Sequence, residues 1–322
     1  MSRVDILTSM LDLSGVGLEV GPSHNPLVSK ASGARIETVD HTDQAGLVKK
    51  YANDPNVDVT KIEPVDYVSD GRPISEVIKK SKFYDYIIAS HVIEHTTNPL
   101  SFFRDCRLLL KESGVLVLAV PDRRYCFDFF RPRTSTGDVL QAFYENRSRH
   151  TVGAMFDHLA YVARRGGHIA WTPQHDAKLE FIHSLDEASA YVAKHDPDGP
   201  YVDCHAWQFT PASFRLIIND LNAAGFLDLR EHRFHETLAF EFFISLSPQG
   251  VGCPIDRLTL AEMAEREATA MPQVLVQSAP ALVVAPATQD MGTELGLRPH
   301  TPAPRRHWLR KVIKKARRAL GS

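Results

Sequence analysis

The chain has 322 residues, of which 43% are hydrophobic and 24% charged, so it can bury a sizeable core in one large domain or two smaller ones. It contains no run of about 18 apolar residues, and acids occupy the N-terminal stretch where a secretory signal needs basic residues, so we expect a cytoplasmic location. The four cysteines form no CxxC pair, which argues against a structural zinc site and against a disulfide framework.

The charge of the chain is unevenly distributed. Eight Lys and Arg residues lie between positions 305 and 322, where there is no acid. Setting these eight aside changes the formal net charge from −2 to −10. A body this acidic argues against a nucleic-acid partner, because the binding face for a phosphate backbone must be basic.

Over the first 122 residues, apolar runs alternate with helical patterns. Residues 4–13 predict a short helix that covers the edge of a sheet. The runs predict strands, and the stretches between them helices, the last of which we expect to end at Gly114. The alternation predicts a parallel, doubly wound sheet. The predicted strands are residues 16–20, 34–39, 65–68, 84–89 and 115–120.

Two further strands and an insertion complete the predicted domain. A helix over 211–224, capped by Thr210 and stopped by Gly225, precedes strands at 227–234 and 237–246, which we expect to pair as an antiparallel hairpin. Residues 123–206 are too long for an ordinary connection and predict a cap over an acceptor site. Their aromatic and polar side chains suit a sugar or another polyhydroxyl compound.

The first strand leads into Glu19 and Gly21, a turn at which a ligand can approach the backbone closely. Asp40 follows Glu19 by 21 residues, where a Rossmann-like unit places an acceptor for ribose hydroxyls. There is no GxGxxG, GxxxxGK[ST] or GxSxG motif, which argues against nicotinamide binding, nucleotide hydrolysis by a P-loop and serine esterase chemistry.

These residues carry a family resemblance. A strand that ends in ExG is followed by an acid after each of the next two strands, and then by SHVIEH and LLLKESGVLVLAVPD. In this order of its motifs, the chain resembles a class I S-adenosylmethionine-dependent methyltransferase of the methyltransferase 11 type. ASHVIEH followed by PDRRYCFDFFRP also resembles a bacterial subgroup associated with surface-polysaccharide genes. The resemblance implies a seven-stranded Rossmann-like sheet, with strands 1–5 parallel and strands 6–7 a terminal hairpin. The chain departs from the family pattern in the loop after the first strand, where GPSHNP replaces the later glycines.

The resemblance also implies roles for individual residues. Glu19 and Gly21 would border the methionine part of S-adenosylmethionine, with Ser23 or His24 binding it. Asp40 would accept hydrogen bonds from both ribose hydroxyls. The remaining contacts would come from Asp70 at the adenine amino group and from Ser90 or His91 beneath the sulfonium.

Transfer of the methyl group to a hydroxyl requires a base near the acceptor. His91 follows the fourth strand at the carboxyl edge of the sheet and is the preferred candidate, with His95 second; the alternative for both is a capping or stacking role. His175, His183, Asp203 and His205 are conceivable metal ligands, but their spacing matches no compact motif, and we expect no metal site.

The sequence therefore predicts a methyltransferase domain at 1–248, a helix and flexible linker at 249–304, and a basic amphipathic helix at 305–322. The last segment suits an anionic membrane surface; nucleic acid, an acidic protein and a merely solubilising role are the alternatives. The predicted reaction is methylation of a small molecule or glycan, most simply at oxygen, with nitrogen and carbon left open. A catalytically silent, cofactor-binding partner in a polysaccharide-modifying assembly is the competing function.

Overall fold

Seven strands form the main sheet of the protein, in the order β3-β2-β1-β4-β5-β9-β8. The computed structural model describes residues 2–194, 196 and 201–269. Strands β1 to β5 run parallel, and the β8–β9 hairpin joins antiparallel to β5, so the predicted doubly wound sheet is confirmed. The strands are β1 (Gly17–Val20), β2 (Ile36–Asp40), β3 (Tyr67–Val68), β4 (Tyr84–Ser90), β5 (Leu110–Pro121), β6 (Ala163–Arg165), β7 (Leu179–Phe181), β8 (Arg230–Leu238) and β9 (Glu241–Ser247).

Helices cover both faces of this sheet and build the insertion. Thr210 caps α8 with Pro211 as its first residue, and Gly225 follows its end with a φ of 77°, as the sequence predicts. The helices are α1 (Arg3–Ser9), α2 (Gln44–Tyr51), α3 (Ile74–Ile78), α4 (Pro99–Leu109), α5 (Thr136–Tyr144), α6 (Val152–Tyr161), α7 (Leu185–Ala193), α8 (Pro211–Ala223) and α9 (Arg257–Thr269). No helix of the described residues is long and apolar enough to cross a membrane.

The core lies on the two faces of β4 and β5. Leu116 and Leu118 point to the larger cluster, which contains α4 and α8, whereas Val117 lies in the cluster beneath α1. Both sets of side chains are fully buried. Burial on both faces explains why these strands read as continuous apolar runs instead of alternating ones.

The structure corrects two helix predictions. The helix before β5 ends at Leu109, and Gly114 lies inside β5, because Leu110 is already extended and pairs with Tyr84. The first helix ends at Ser9, and its Ile6 and Leu7 pack on a face of the sheet instead of its edge.

The insertion contains α5, α6, the antiparallel β6–β7 hairpin and α7. Beyond β9, α9 packs on α8 through Leu260 and Ala264. The predicted domain limit at 248 stays a prediction, and the predicted linker after residue 269 and the basic helix at 305–322 lie outside the described residues.

Candidate active site

The loop after β1 is held together by Glu19. Its carboxylate is 2% exposed and accepts hydrogen bonds from the backbone N–H groups of Leu27 (2.7 Å) and Val28 (3.2 Å). Burial raises the pKa of this carboxyl to about 7, against the lowering effect of the two hydrogen bonds. Glu19 thus fixes the shape of the loop through its backbone. The role that the resemblance implies for Glu19 is a different one, contact with the methionine part of the donor.

Gly21, Ser23 and Asp40 meet at the carboxyl ends of β1 and β2. Gly21 has a φ of 66°, and a Cβ there would come within 3.2 Å of the Val92 side chain. The Ser23 N–H donates to Asp40 Oδ2 at 2.8 Å. The predicted donor-binding residues of the first two strands are therefore neighbours, and glycine is the residue that this turn favours.

Asp40 is buried, and both of its oxygens have partners. Oδ2 accepts from Ser23, while Oδ1 lies 2.7 Å from the His41 N–H and 2.5 Å from His41 Nδ1. The His41 side chain is 56% exposed and can turn into solvent, which would remove the ring contact with Oδ1 and leave only backbone N–H donors on the carboxylate. Nearby, His24 Nδ1 is buried and has no hydrogen-bond partner among the described residues.

Asp70 follows β3, the neighbour of β2. Val68 pairs with Asp40, so Asp70 lies two residues beyond that pair. Its side chain is 48% exposed and forms an ion pair with Arg72 at 2.7 Å. The contact between Asp70 and adenine stays a prediction, and the ion pair with Arg72 would have to open or rotate to make it.

Ser90 and His91 stand at the end of β4. The Ser90 hydroxyl accepts a hydrogen bond from Arg3. His91 has a φ of 53°, and its ring nitrogens face two acids, Glu241 Oε2 at 2.9 Å from Nε2 and Glu94 Oε1 at 3.4 Å from Nδ1. Burial alone would lower the pKa of His91, but the hydrogen bond to Glu241 and the negative charge of Glu94 raise it to about 9. His91 is then mainly protonated at neutral pH, which works against its predicted role as a base.

His95 lies beside the same buried acid. Its Nδ1 is 2.8 Å from Asp203 Oδ1, and its Nε2 is 4.0 Å from Glu94 Oε1. Burial lowers the pKa of His95, whereas Asp203 and Glu94 raise it, and the net shift is upward. His205 Nε2 is also 4.0 Å from Glu94 Oε1. Three imidazoles therefore surround one carboxylate.

Of the four conceivable metal ligands from the sequence, only Asp203 and His205 lie at this site. His175 packs against His168 in the insertion. Among the described residues, the group able to hold a metal is formed by Glu94, His95 and His205. Glu94 is not among the site residues predicted from the sequence, although His91, Glu94 and His95 have the spacing H-x-x-E-H, which is a zinc signature in some enzymes.

Comparison with known proteins identifies the family. A family model described as a methyltransferase domain matches residues 5–182, more than half of the chain. The chain belongs to this methyltransferase family. No curated protein sequence matches it. Together with the seven-stranded sheet, the family makes this protein a class I S-adenosylmethionine-dependent methyltransferase, and S-adenosylmethionine is its cofactor.

Solved methyltransferase structures resemble the chain more weakly. A methyltransferase from Aquifex aeolicus is 11% identical, with 76% of this chain and 88% of that chain covered and a TM-score of 0.38. The CcbJ methyltransferase from Streptomyces caelestis is 14% identical, with coverage of 76% and 93% and a TM-score of 0.38. A methyltransferase from Methanosarcina mazei is 12% identical, with coverage of 76% and 97% and a TM-score of 0.39. Similarity at this level supports no further inference.

The residues of this methyltransferase fit its donor at the ends of β1 and β2. The turn at Gly21 offers a backbone approach, and the Asp40 carboxylate offers an acceptor for hydroxyl groups. His24 Nδ1, which has no hydrogen-bond partner among the described residues, offers a ring nitrogen. A carboxylate has room for about four hydrogen bonds, so Asp40 can accept from a ribose once His41 has turned away.

Proposed function

We propose that this methyltransferase transfers the methyl group of S-adenosylmethionine to a hydroxyl of a glycan or another polyhydroxyl small molecule. The acceptor lies at the carboxyl end of β4, beneath the inserted cap. One observation carries the proposal: the last part of the insertion contributes Asp203 and His205 to the edge where His95 stands. The cap and the end of β4 thus share one polar site.

Several hydrogen bonds join the cap to this edge. The Ala206 N–H donates to the Glu94 carbonyl at 2.8 Å, and the Tyr201 hydroxyl donates to the His95 carbonyl at 3.2 Å. Phe127 lies against His205 with ring centroids 4.5 Å apart. An aromatic face beside hydrogen-bonding groups suits a sugar, which presents C–H patches and hydroxyls together. This composition supports a polyhydroxyl acceptor.

S-adenosylmethionine supplies an electrophilic methyl carbon on a good leaving group, so the chain mainly has to align the acceptor and accept its proton. The oxygen–carbon bond forms as the carbon–sulfur bond breaks, and the hydroxyl proton passes to a base. Of the two predicted bases, His95 has the better geometry. Asp203 orients its Nδ1, and its Nε2 is 4.0 Å from Glu94, whereas the two nitrogens of His91 lie 2.9 and 3.4 Å from acids.

Calorimetry and labelled-donor assays test the proposal in two stages. We expect the full chain to bind S-adenosylmethionine and its demethylated product, and Asp40→Asn to weaken both. His41→Ala should retain or increase the affinity, because it removes the ring contact with Asp40 Oδ1 while the backbone N–H still donates to that oxygen. Mass spectrometry then follows label into a panel of glycans and polyols. If the wild type does not bind the donor at high micromolar concentration, the proposed enzymatic function is wrong. Binding of the donor without transfer to any acceptor would favour the alternative, a catalytically silent, cofactor-binding partner.

The proposal includes a cytoplasmic location at the inner face of a membrane, with a role in polysaccharide biosynthesis. The membrane location rests on the basic, amphipathic sequence of residues 305–322 beside a body of charge −10. The polysaccharide role rests on the resemblance of ASHVIEH and PDRRYCFDFFRP to the bacterial subgroup. Flotation with anionic vesicles, with and without these residues, checks the attachment. Equal flotation of both chains would remove it.

A further inference from the structure

Glu94 is an acid that the described residues leave without a hydrogen bond. Its side chain is 1% exposed, and both carboxylate oxygens are buried without a hydrogen-bond partner among the described residues. Leaving a buried carboxylate unsatisfied is costly, unless an ion or protonated groups compensate it. The buried Glu94 carboxylate therefore favours positive charge beside it, from a protonated imidazole such as His91 or from a bound cation.

Three ring nitrogens converge on that carboxylate. His91 Nδ1 is 3.4 Å from Glu94 Oε1, and the Nε2 atoms of His95 and His205 are each 4.0 Å away. One ligand atom from each of Glu94, His95 and His205 lies within 4.8 Å of the others. Ligands of a tetrahedral zinc ion, with bonds of about 2.0–2.1 Å, lie about 3.3 Å apart, so a small contraction would complete the site.

The opposite nitrogen of each histidine is held by a second acid. Asp203 contacts His95 Nδ1 at 2.8 Å, and Asp128 contacts His205 Nδ1 at 2.5 Å. His91 Nε2 has the same arrangement with Glu241, at 2.9 Å. Metal-binding histidines characteristically donate their second N–H to a carboxylate, which fixes the ring and makes the metal-binding nitrogen more basic.

We propose that Glu94, His95 and His205 bind a divalent transition-metal ion, with His91 as a fourth nitrogen within reach. Imidazole and carboxylate together suit Zn²⁺ or Mn²⁺ better than a hard ion such as Mg²⁺. The His91 and His95 side chains are each 32% exposed, which leaves a route for the ion and an open position on that side. The site lies where the proposed acceptor binds.

The metal deepens the proposed function by assigning the acceptor a ligand role. A hydroxyl oxygen bound at the open position has a lowered pKa, and its proton leaves to solvent before methyl transfer. His95 is then a ligand and not a base. Binding of the metal itself rests on the geometry of Glu94 and the histidines and does not depend on the proposed acceptor.

Titration calorimetry of the EDTA-treated, dialysed full chain tests the site without donor or acceptor. We expect one equivalent of Zn²⁺ to bind tightly and Mn²⁺ to bind more weakly. Glu94→Gln and His95→Gln should each weaken Zn²⁺ binding at least about tenfold. His158→Gln is the matched control, because its ring lies 6.2 Å from that of His205 in the cap but outside the ligand group, and it should bind Zn²⁺ like the wild type.

Asp203→Asn covers the case in which a buried variant fails to fold. The Asp203 side chain is 63% exposed and holds His95 from outside, so the variant should fold and still bind Zn²⁺ about tenfold more weakly. A wild type that takes up neither Zn²⁺ nor Mn²⁺, or Glu94→Gln and His95→Gln variants that fold and bind Zn²⁺ normally, would overturn the metal site. Separate titration with S-adenosylmethionine shows whether the proposed enzyme also fails.

Discussion

Glu19 makes the stability of the protein depend on pH. Its pKa is raised to about 7 in the folded chain, from an ordinary value of 4.5, because burial disfavours the ionised form. The stabilising contribution of the protonated carboxyl is thus fully present below about pH 4.5 and is lost as pH rises through about 7. Glu19→Gln stays neutral, so we expect the wild type to lose on the order of 3 kcal/mol relative to it between pH 4 and 8, measured by denaturant unfolding.

Glu63 provides the control of opposite sign. Burial would raise the pKa of this carboxyl, but hydrogen bonds from Ser29, Lys30 and Ala31 lower it. Its contribution to stability is therefore present above its ordinary pKa and is lost as pH falls. The free energy of unfolding of the wild type should therefore increase relative to that of Glu63→Gln as pH rises. Equal pH profiles for wild type and Glu19→Gln would contradict the raised pKa of Glu19.

Single residues at strand ends were predictable where the chain itself provides the spacing. The turn at Gly21 and the neighbouring Asp40 follow from two strands that lie side by side in the sheet. The contribution of His205 to the site did not follow, because its distance from Glu94 depends on how 110 residues of chain fold between them. The partners of Asp40 and Asp70, His41 and Arg72, are local contacts that strand patterns do not encode.

A buried ion pair joins α8 to β8. Arg215 donates from Nε and one terminal nitrogen to the two oxygens of Glu231, at 2.8 and 2.9 Å, and both side chains are less than 10% exposed. Removing one partner leaves the other charge buried and unpaired. We expect Glu231→Leu to destabilise the protein by about 3–5 kcal/mol in chemical unfolding.

Two further variants isolate the effect of the stranded charge. Adding Arg215→Met to Glu231→Leu removes the unpaired cation, so the double variant should regain part of the lost stability. Arg257 of α9 pairs with Asp220 of α8 at 2.7 Å, but the Arg257 side chain is 72% exposed, so Asp220→Asn should have a much smaller effect. If the double variant is less stable than Glu231→Leu alone, the unpaired charge of Arg215 is not the cause of the destabilisation.

At the scale of elements, long apolar runs predicted the strands well and the helix ends less well. β4 and β5 are covered on both faces, which produces the continuous apolar runs that are typical of central parallel strands. Gly114 was misassigned because a glycine after a helical pattern usually marks a helix end. Here pairing of Leu110 with Tyr84 already draws the chain into the sheet four residues earlier.

For the molecule as a whole, the sequence predicted the cap from its length alone. Its position follows from contacts that join distant segments, such as those of His205, whose Nδ1 contacts Asp128 and whose carbonyl accepts from Arg131. These contacts join buried charged side chains to distant groups, and no periodic pattern in the sequence predicts them. The resulting site draws on β4, the cap and β9, which supplies Glu241.

The extent of the folded unit beyond residue 248 is the last testable feature. Leu260 of α9 is fully buried beside Ala264 and Ala212, whereas Leu258, two residues away, is 70% exposed. Truncating a buried leucine removes its transfer energy and leaves a cavity. Leu260→Ala should therefore cost about 2–5 kcal/mol in thermal or chemical unfolding, and Leu258→Ala should change little. If both variants unfold like the wild type, α9 is not part of the cooperative domain, and the predicted limit at 248 describes the stable unit better.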